Sequence, residues 1–173
     1  KVYVKNSKIE GKGIFATKNI KEGEIIFEVI GPVIKYPFIP NYRLGPYWLN
    51  IEKNSWKIPI DKNPYRHINH SCNPNSTLTR NTKIIAMKNI PKGNEITIDY
   101  AVTESAKNWK LKCKCKARNC RRVIRSIQFL PEKIYEKYKK HLPKFQKNEF
   151  AKEKTYAASI KGKRKLFAKR KIK

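Results

Sequence analysis

No stretch of this sequence approaches the roughly 18–20 consecutive apolar residues that cross a bilayer, and its first residues, KVYVKNSKIEGKGIF, lack the hydrophobic core of a secretory signal. A soluble, intracellular, monomeric protein with no membrane partner is the expectation. Acidic residues are scarce too: 13 Asp+Glu stand against 41 Lys+Arg, a formal charge of +28. Such a surface disfavours free basic partners and favours polyanions such as nucleic acid, because each phosphate contact releases a counterion. Residues 131–173 hold 16 basic and four acidic groups, so the basicity belongs to the body as well as to the end. The abundance of Lys, Asn and Ile leaves compositional bias as a second source of the charge. Cysteine is rare, with only Cys72, Cys113, Cys115 and Cys120. Cys113 and Cys115 are too close for a comfortable mutual disulfide, and an intracellular chain is kept reduced. Four thiolates match one tetrahedral zinc site; four unrelated cysteines are the other reading, since three cluster and the fourth lies far upstream.

At 173 residues, with 39% hydrophobic and 11% aromatic residues, the chain is long enough for one domain with a real core plus an extension. A mean hydropathy of −0.72 indicates a strongly solvated surface. Short apolar runs at VYVKN, GIFATKNI, EIIFEVIGPVI, KIPI, STLT, KIIAMKNI and NEITIDY read as strands, punctuated by turns at KEGE and PKGNE. FATKNIKEGEII and AMKNIPKGNEIT resemble one another, as two related or independently similar hairpins would. Helical spacing appears only in LPEKIYEKYKKHLPKFQKNEF, where Ile134, Tyr135, Tyr138 and Leu142 recur every three to four residues and Pro131 suits a first turn. The Lys-rich remainder predicts a mobile tail.

The segment RHINHSCNPN concentrates an Arg, two His, a Cys and three Asn. Together with GKGIFA before it, EITIDY after it and the closing CKCKARNC, it resembles the SET-domain protein lysine methyltransferases with a post-SET zinc segment; the resemblance covers about residues 1 to 125. It implies a mainly β fold with short helices, built of small sheets around a pseudoknot, with NHSC threaded beside the final DY strand. The expected division is a SET domain over 1–105, a post-SET zinc segment over 106–125, a C-terminal helical extension over 126–150 and a basic mobile tail over 151–173.

The resemblance implies S-adenosylmethionine as cofactor, contacted by Lys12, Gly13, Ile14, Tyr47, Arg66, Asn69 and His70. Gly11 and Gly13 let backbone approach a ligand, Asn69 offers a donor and an acceptor, and His70 is expected to hold the adenine edge through backbone and ring. Tyr100 is the expected catalytic residue, a phenol that stabilises charge on the transferring methyl rather than a strong base. Asp99 and Glu95 are expected to support the fold. The family also closes the cysteine question: Cys72 joins Cys113, Cys115 and Cys120 around one structural zinc.

Two positions depart from the family. Val29 stands where a tyrosine often meets the substrate amine, and Ile98 where a larger aromatic often limits methyl addition. Both are expected to line the substrate channel and to leave room for more than one methyl. The implied activity is methylation of a protein lysine, on a nucleic-acid-associated protein given the charge. A zinc-stapled nucleic-acid-binding module without chemistry, or a SET-like scaffold without turnover, are the competing readings. The segment KYPFIPNYRLGPYWLNIEKNSWKIPIDKNP matches the family least and is expected to shape substrate choice.

Overall fold

A computed structural model describes residues 1–35 and 47–170, with side chains described through residue 160. Much of the segment expected to shape substrate choice, residues 36–46, therefore lies outside the described residues. Among those described, the chain forms β1 (Val2–Asn6), β2 (Lys12–Ala16), β3 (Ile25–Glu28), β4 (Val33–Lys35), β5 (Leu49–Glu52), β6 (Ser55–Lys57), β7 (Asn69–His70), β8 (Ser76–Leu78), β9 (Lys83–Ala86), β10 (Glu95–Ile98), β11 (Lys110–Lys112) and β12 (Val123–Arg125), followed by α1 (Glu132–Tyr138) and α2 (Lys144–Arg170). The sheets are small: β1-β2-β10-β7, β3-β9-β8, β4-β6-β5 and the ribbon β11-β12. The NHSC strand β7 runs parallel to β10, with Asn69 opposite Thr97 and His70 opposite Ile98. That pairing lays the middle motif beside the strand leading into Tyr100.

The two similar segments are not hairpins, since each passes from one sheet to another, β2 to β3 and β9 to β10; they pack against each other about a local two-fold. Ile20 and Ile90 exchange both backbone bonds, at 2.9 and 2.8 Å. The N–H of Ala16 donates to Asn94 O and that of Ala86 to Glu24 O, both at 3.0 Å. The N–H of Lys92 donates to Asn19 Oδ1 at 2.8 Å, and the N–H of Glu22 to Asn89 Oδ1 at 3.0 Å. Both turns need a left-handed residue, supplied by Gly23 and Gly93 at φ +81° and +83°. The likeness in sequence is thus a likeness in space, and it fixes β2 and β10 as neighbours.

Two hydrophobic clusters fill the body. One gathers Ile14, Ile20, Val29, Ile84, Ile90, Ile96 and Ile98 beneath the sheets. The other joins Val102, Ile124, Ile127 and Leu130 to Tyr135, Tyr138, Leu142 and Phe150 of the C-terminal helices. Tyr135 and Phe150 stack with ring centroids 3.6 Å apart, and buried Gln146 donates to Val102 O at 2.9 Å. Tyr100 packs against both clusters, so it sits in the seam between the sheet body and the helical layer.

Three expectations need correction. KIPI forms no strand beyond Lys57, because Pro59 has no N–H; Ile58 and Ile60 instead donate to Pro32 O and Ile30 O. The late helical segment is two helices, since Pro143 cannot continue the ladder from α1 into α2. The boundary expected between residues 150 and 151 falls inside α2, which runs unbroken from Lys144 to Arg170. Ala, Lys, Arg and Glu are strong helix formers and no proline follows Pro143. Among the described residues, no helix is long and apolar enough to cross a membrane.

Candidate active site and metal centre

The turn leaving β1 returns as β2 through Gly11 and Gly13, and Gly13 is pressed against the start of β10. A Cβ at Gly13 would lie 2.3 Å from Glu95 Oε1 and 3.1 Å from Ser7 Cβ, so a side chain there would displace the carboxylate. Ser7 Oγ donates to the Glu95 carboxylate at 2.7 Å. Asn69 Nδ2 donates to that carboxylate at 2.8 Å, and also reaches Lys12 O at 3.1 Å and Glu10 O at 3.2 Å. Three acceptors around one side-chain atom fix it as the nitrogen, and leave Asn69 Oδ1 as an acceptor. Lys12 and Gly13 thus join Asn69 in one nest of backbone and amide groups. Ile14 is fully buried at the centre of β2, between Val4 and Ile96, and supports that nest from beneath.

Tyr100 follows β10 at the start of a 3-10 turn, Tyr100–Thr103. Its hydroxyl donates to Ile68 O at 2.7 Å, one residue before Asn69. Burial pushes the phenol well above the ordinary tyrosine range, with the Glu10, Tyr47 and Glu95 charges adding to it. The group therefore stays a neutral phenol whose proton is committed to a carbonyl and whose oxygen lone pairs are free. Arg66 is held by Pro59 O at 3.4 Å and lies over the Tyr47 ring at 4.6 Å, so these two residues come together beside Tyr100.

His70 departs from its expected role. The backbone N–H of Tyr100 donates to His70 Nδ1 at 3.1 Å, and His70 Nε2 lies 3.3 Å from Cys72 Sγ. An Nδ1 that accepts leaves the proton on Nε2, which then donates to sulfur. Burial and the nearby Arg121 charge lower the ring to about 3, so it remains neutral. Both ring nitrogens are spent inside the protein. Only the His70 backbone remains for a ligand.

The cysteines meet across the chain. Cys72 Sγ and Cys113 Sγ are 3.8 Å apart, close to the tetrahedral edge of about 3.8 Å that Zn–S bonds of about 2.3 Å define. Ligand atoms of His70, Cys72, Cys113 and Cys115 lie within 4.8 Å of one another, a set that can hold a metal ion. Cys120 is near enough to interact with the thiols of Cys113 and Cys115. Each sulfur accepts a backbone N–H: Cys72 from Arg121 at 3.3 Å, Cys113 from Cys115 at 3.5 Å, Cys115 from Cys72 at 3.4 Å and Cys120 from Arg122 at 3.4 Å. Such donors stabilise thiolates, but at Cys72 and Cys113 burial outweighs them and raises the thiol. Burial pushes the Cys115 thiol up, but the N–H groups of Cys72 and Ala117 and the neighbouring thiols bring it down to about 7.

Arg121 links this centre to Tyr100, and sequence reading missed it. Its Nε lies 3.5 Å from Cys72 Sγ and its Nη2 donates to Asp99 Oδ1 at 2.5 Å. Asp99, fully buried, also accepts from Ala101 N and from Tyr138 Oη of α1. Burial raises this carboxyl, while Arg121 pulls it back and is itself held charged. Lys114, between two of the cysteines, pairs with Glu10 at 2.5 Å on the glycine turn, so the cysteine segment reaches the nest directly. Val29 and Ile98 are wholly buried in the cluster under Tyr100.

The SET domain model matches residues 11–101, from the glycine turn through Tyr100. This chain belongs to the SET domain family. Among curated SET proteins it is 33% identical over 137 residues to human histone-lysine N-methyltransferase 2D, covering 70% of this chain and 2% of that protein. It is 34% identical over 139 residues to the variant-silencing SET domain-containing protein of Plasmodium falciparum, covering 68% of this chain and 5% of that protein. The chain thus spans a small fraction of the length of these SET relatives. Among solved structures, KRYPTONITE in complex with mCHG DNA and SAH shares 25% identity at a TM-score of 0.56, over 72% of this chain and 29% of that one. SET enzymes use S-adenosylmethionine, and the expected mainly β SET fold is the fold observed.

Proposed function

We propose that this chain is an S-adenosylmethionine-dependent protein-lysine N-methyltransferase with one structural zinc. The observation that carries the reading is the Tyr100 hydroxyl, fixed on Ile68 O at 2.7 Å one residue from the Asn69 nest. The donor set suits the cofactor: Asn69 Oδ1 would accept from its ammonium, beside the glycine turn and the Lys12–Gly13 backbone. When bound, the sulfonium supplies the methyl group, its sulfur leaving with the C–S bonding pair.

The residues of the chain do the rest. A lysine nitrogen attacks only as the neutral amine, which a water-poor, weakly polar channel favours. Val29 and Ile98 supply that character beneath Tyr100, and because both are smaller than an aromatic ring they would obstruct an already methylated amine less. Tyr100, its proton committed to Ile68 O, turns lone pairs toward positive charge and stabilises it without accepting a proton. His70 and Asp99 hold the Tyr100 backbone and the following turn. Tyr47 and Arg66 close one side of the nest.

Four cysteine thiolates leave no open position on zinc, so the metal would tie the segment around residues 113–120 beside the nest without taking part in transfer. Cys120 is preferred to His70 as fourth ligand because both His70 nitrogens already have partners. The test compares wild-type protein with Tyr100→Phe, measuring cofactor affinity by calorimetry and methyl transfer to mixed core histones. Retained affinity with a large loss of transfer is expected. Equal transfer by a folded Tyr100→Phe protein would remove this residue from the reaction.

A further inference from the structure

The C-terminal half of α2 carries a dense excess of positive charge. A 27-residue helix extends about 40 Å, and its packing ends early. Gln146 and Phe150 enter the second core, Lys107 pairs with Glu153 at 2.9 Å, and from Glu153 to Ile160 only Glu153 and Ile160 are part-buried. After Glu153 the sequence has nine basic residues and no acidic one, eight of them in KGKRKLFAKRKIK. Like charges three and four residues apart on such a helix repel one another, and no acidic residue is there to pair them. Gly162 inside it costs about 1 kcal/mol more than alanine. The charge that would compensate must come from outside.

The ribbon β11-β12 carries the same sign. Lys110 lies opposite Arg125, and Lys112 opposite Val123; all four are exposed, whereas Ile124 on the other face is buried. Lys107, just before the ribbon, is the residue that contacts α2, through Glu153 and over the Tyr156 ring. The ribbon is thus in chain continuity with the residue that anchors the helix.

We propose that α2 beyond Glu153 is a docking arm for nucleic acid, its helix completed by phosphate charge, with the β11-β12 ribbon adding a second strip of contacts. Duplex phosphates form a dense linear array of negative charge, and an α-helix fits the width of a DNA major groove. The arm also resolves a conflict of charge. A +28 protein repels a free Lys-rich substrate, but nucleic acid held between the two attracts both. The inference adds a partner to the proposed activity yet does not depend on it, since docking requires no cofactor.

The test uses the full-length chain and a mixed-sequence 30-base-pair DNA duplex without cofactor. Fluorescence anisotropy is read from 50 to 300 mM salt, and helicity is followed by circular dichroism. The comparison is a full-length variant carrying Lys161→Gln, Lys163→Gln, Arg164→Gln and Lys165→Gln. Wild type should bind with a steep salt dependence and gain helical signal with duplex. Removing four contacts should lower the slope of log K against log salt by about 3.6 and weaken binding at least tenfold. An unchanged slope and affinity in the variant would overturn the arm. So would binding that is displaced by phosphatidylserine vesicles or polyglutamate as readily as by duplex, which would make the arm a membrane or acidic-protein contact. Methyl transfer to a free histone peptide, assayed separately, should be the same in both proteins, so failure of docking and failure of catalysis are read independently.

Discussion

Arg121→Met isolates the link between the cysteine centre and the tyrosine turn. The guanidinium is 2.5 Å from Asp99 Oδ1, and Asp99 has no exposed surface. Removing the cation strands a buried carboxylate, which generally costs about 3–5 kcal/mol. Asp99 keeps the Ala101 N–H at 3.1 Å and a long 3.5 Å contact from Tyr138, so the lower end, about 3 kcal/mol, is expected. Metal content should not fall, because the Arg121 backbone N–H still reaches Cys72 Sγ. Urea unfolding at neutral pH, with metal content measured on the same samples, gives the answer. Adding Asp99→Asn should recover part of the loss, since the stranded charge disappears. A loss under about 1 kcal/mol, or no recovery in the double variant, would refute the view that this ion pair joins the two halves of the site.

Gly13→Ala should weaken S-adenosylmethionine binding by displacing Glu95, whose carboxylate the new methyl would overlap; Asn69→Ala should weaken it by about 1–3 kcal/mol through the unpaired partners it leaves, both read by calorimetry. Unaltered dissociation constants in both variants would move the cofactor elsewhere. Elemental analysis should find one zinc per chain, lost with activity on changing any one of Cys72, Cys113, Cys115 or Cys120 to Ser, and full zinc in Cys120→Ser would favour His70 as ligand. Burial raises the Glu104 carboxyl to about 8. A raised carboxyl contributes stability that is complete below its unfolded value and is lost as pH climbs through 8, so Glu104→Gln should unfold at a higher temperature than wild type at pH 9, with the advantage shrinking toward pH 4.5. A constant difference across that range would count against the raised carboxyl.

The parts of the site legible in sequence are those whose chemistry lies in contiguous residues. NHSC and ITIDY each place their groups within one strand and its exit, so the pairing of Asn69 and His70 with β10 follows from the family pattern. The four cysteines were countable, and their odd spacing is explained by β7 lying beside the cysteine segment. What escaped depends on pairs distant in the chain. Ser7 with Glu95, Arg121 with Asp99 and Lys114 with Glu10 are ordinary surface residue types until the fold brings them together. The role expected for the His70 ring failed for the same reason, since the Tyr100 N–H and Cys72 sulfur that occupy it lie on other segments. β11, written KLK, has the exposed pattern of a loop and is a strand only through its ladder to β12.

Transfer of a methyl group to a lysine nitrogen is the central claim, and product analysis tests it most directly. Purified full-length protein is incubated with methyl-labelled S-adenosylmethionine and core histones, free and duplex-bound, and the products are hydrolysed to amino acids. The account predicts label in methyllysines, including dimethyllysine as the modest bulk of Val29 and Ile98 implies, with almost none from Tyr100→Phe. Label confined to other amino acids, or no label from a protein shown to bind the cofactor, would contradict it.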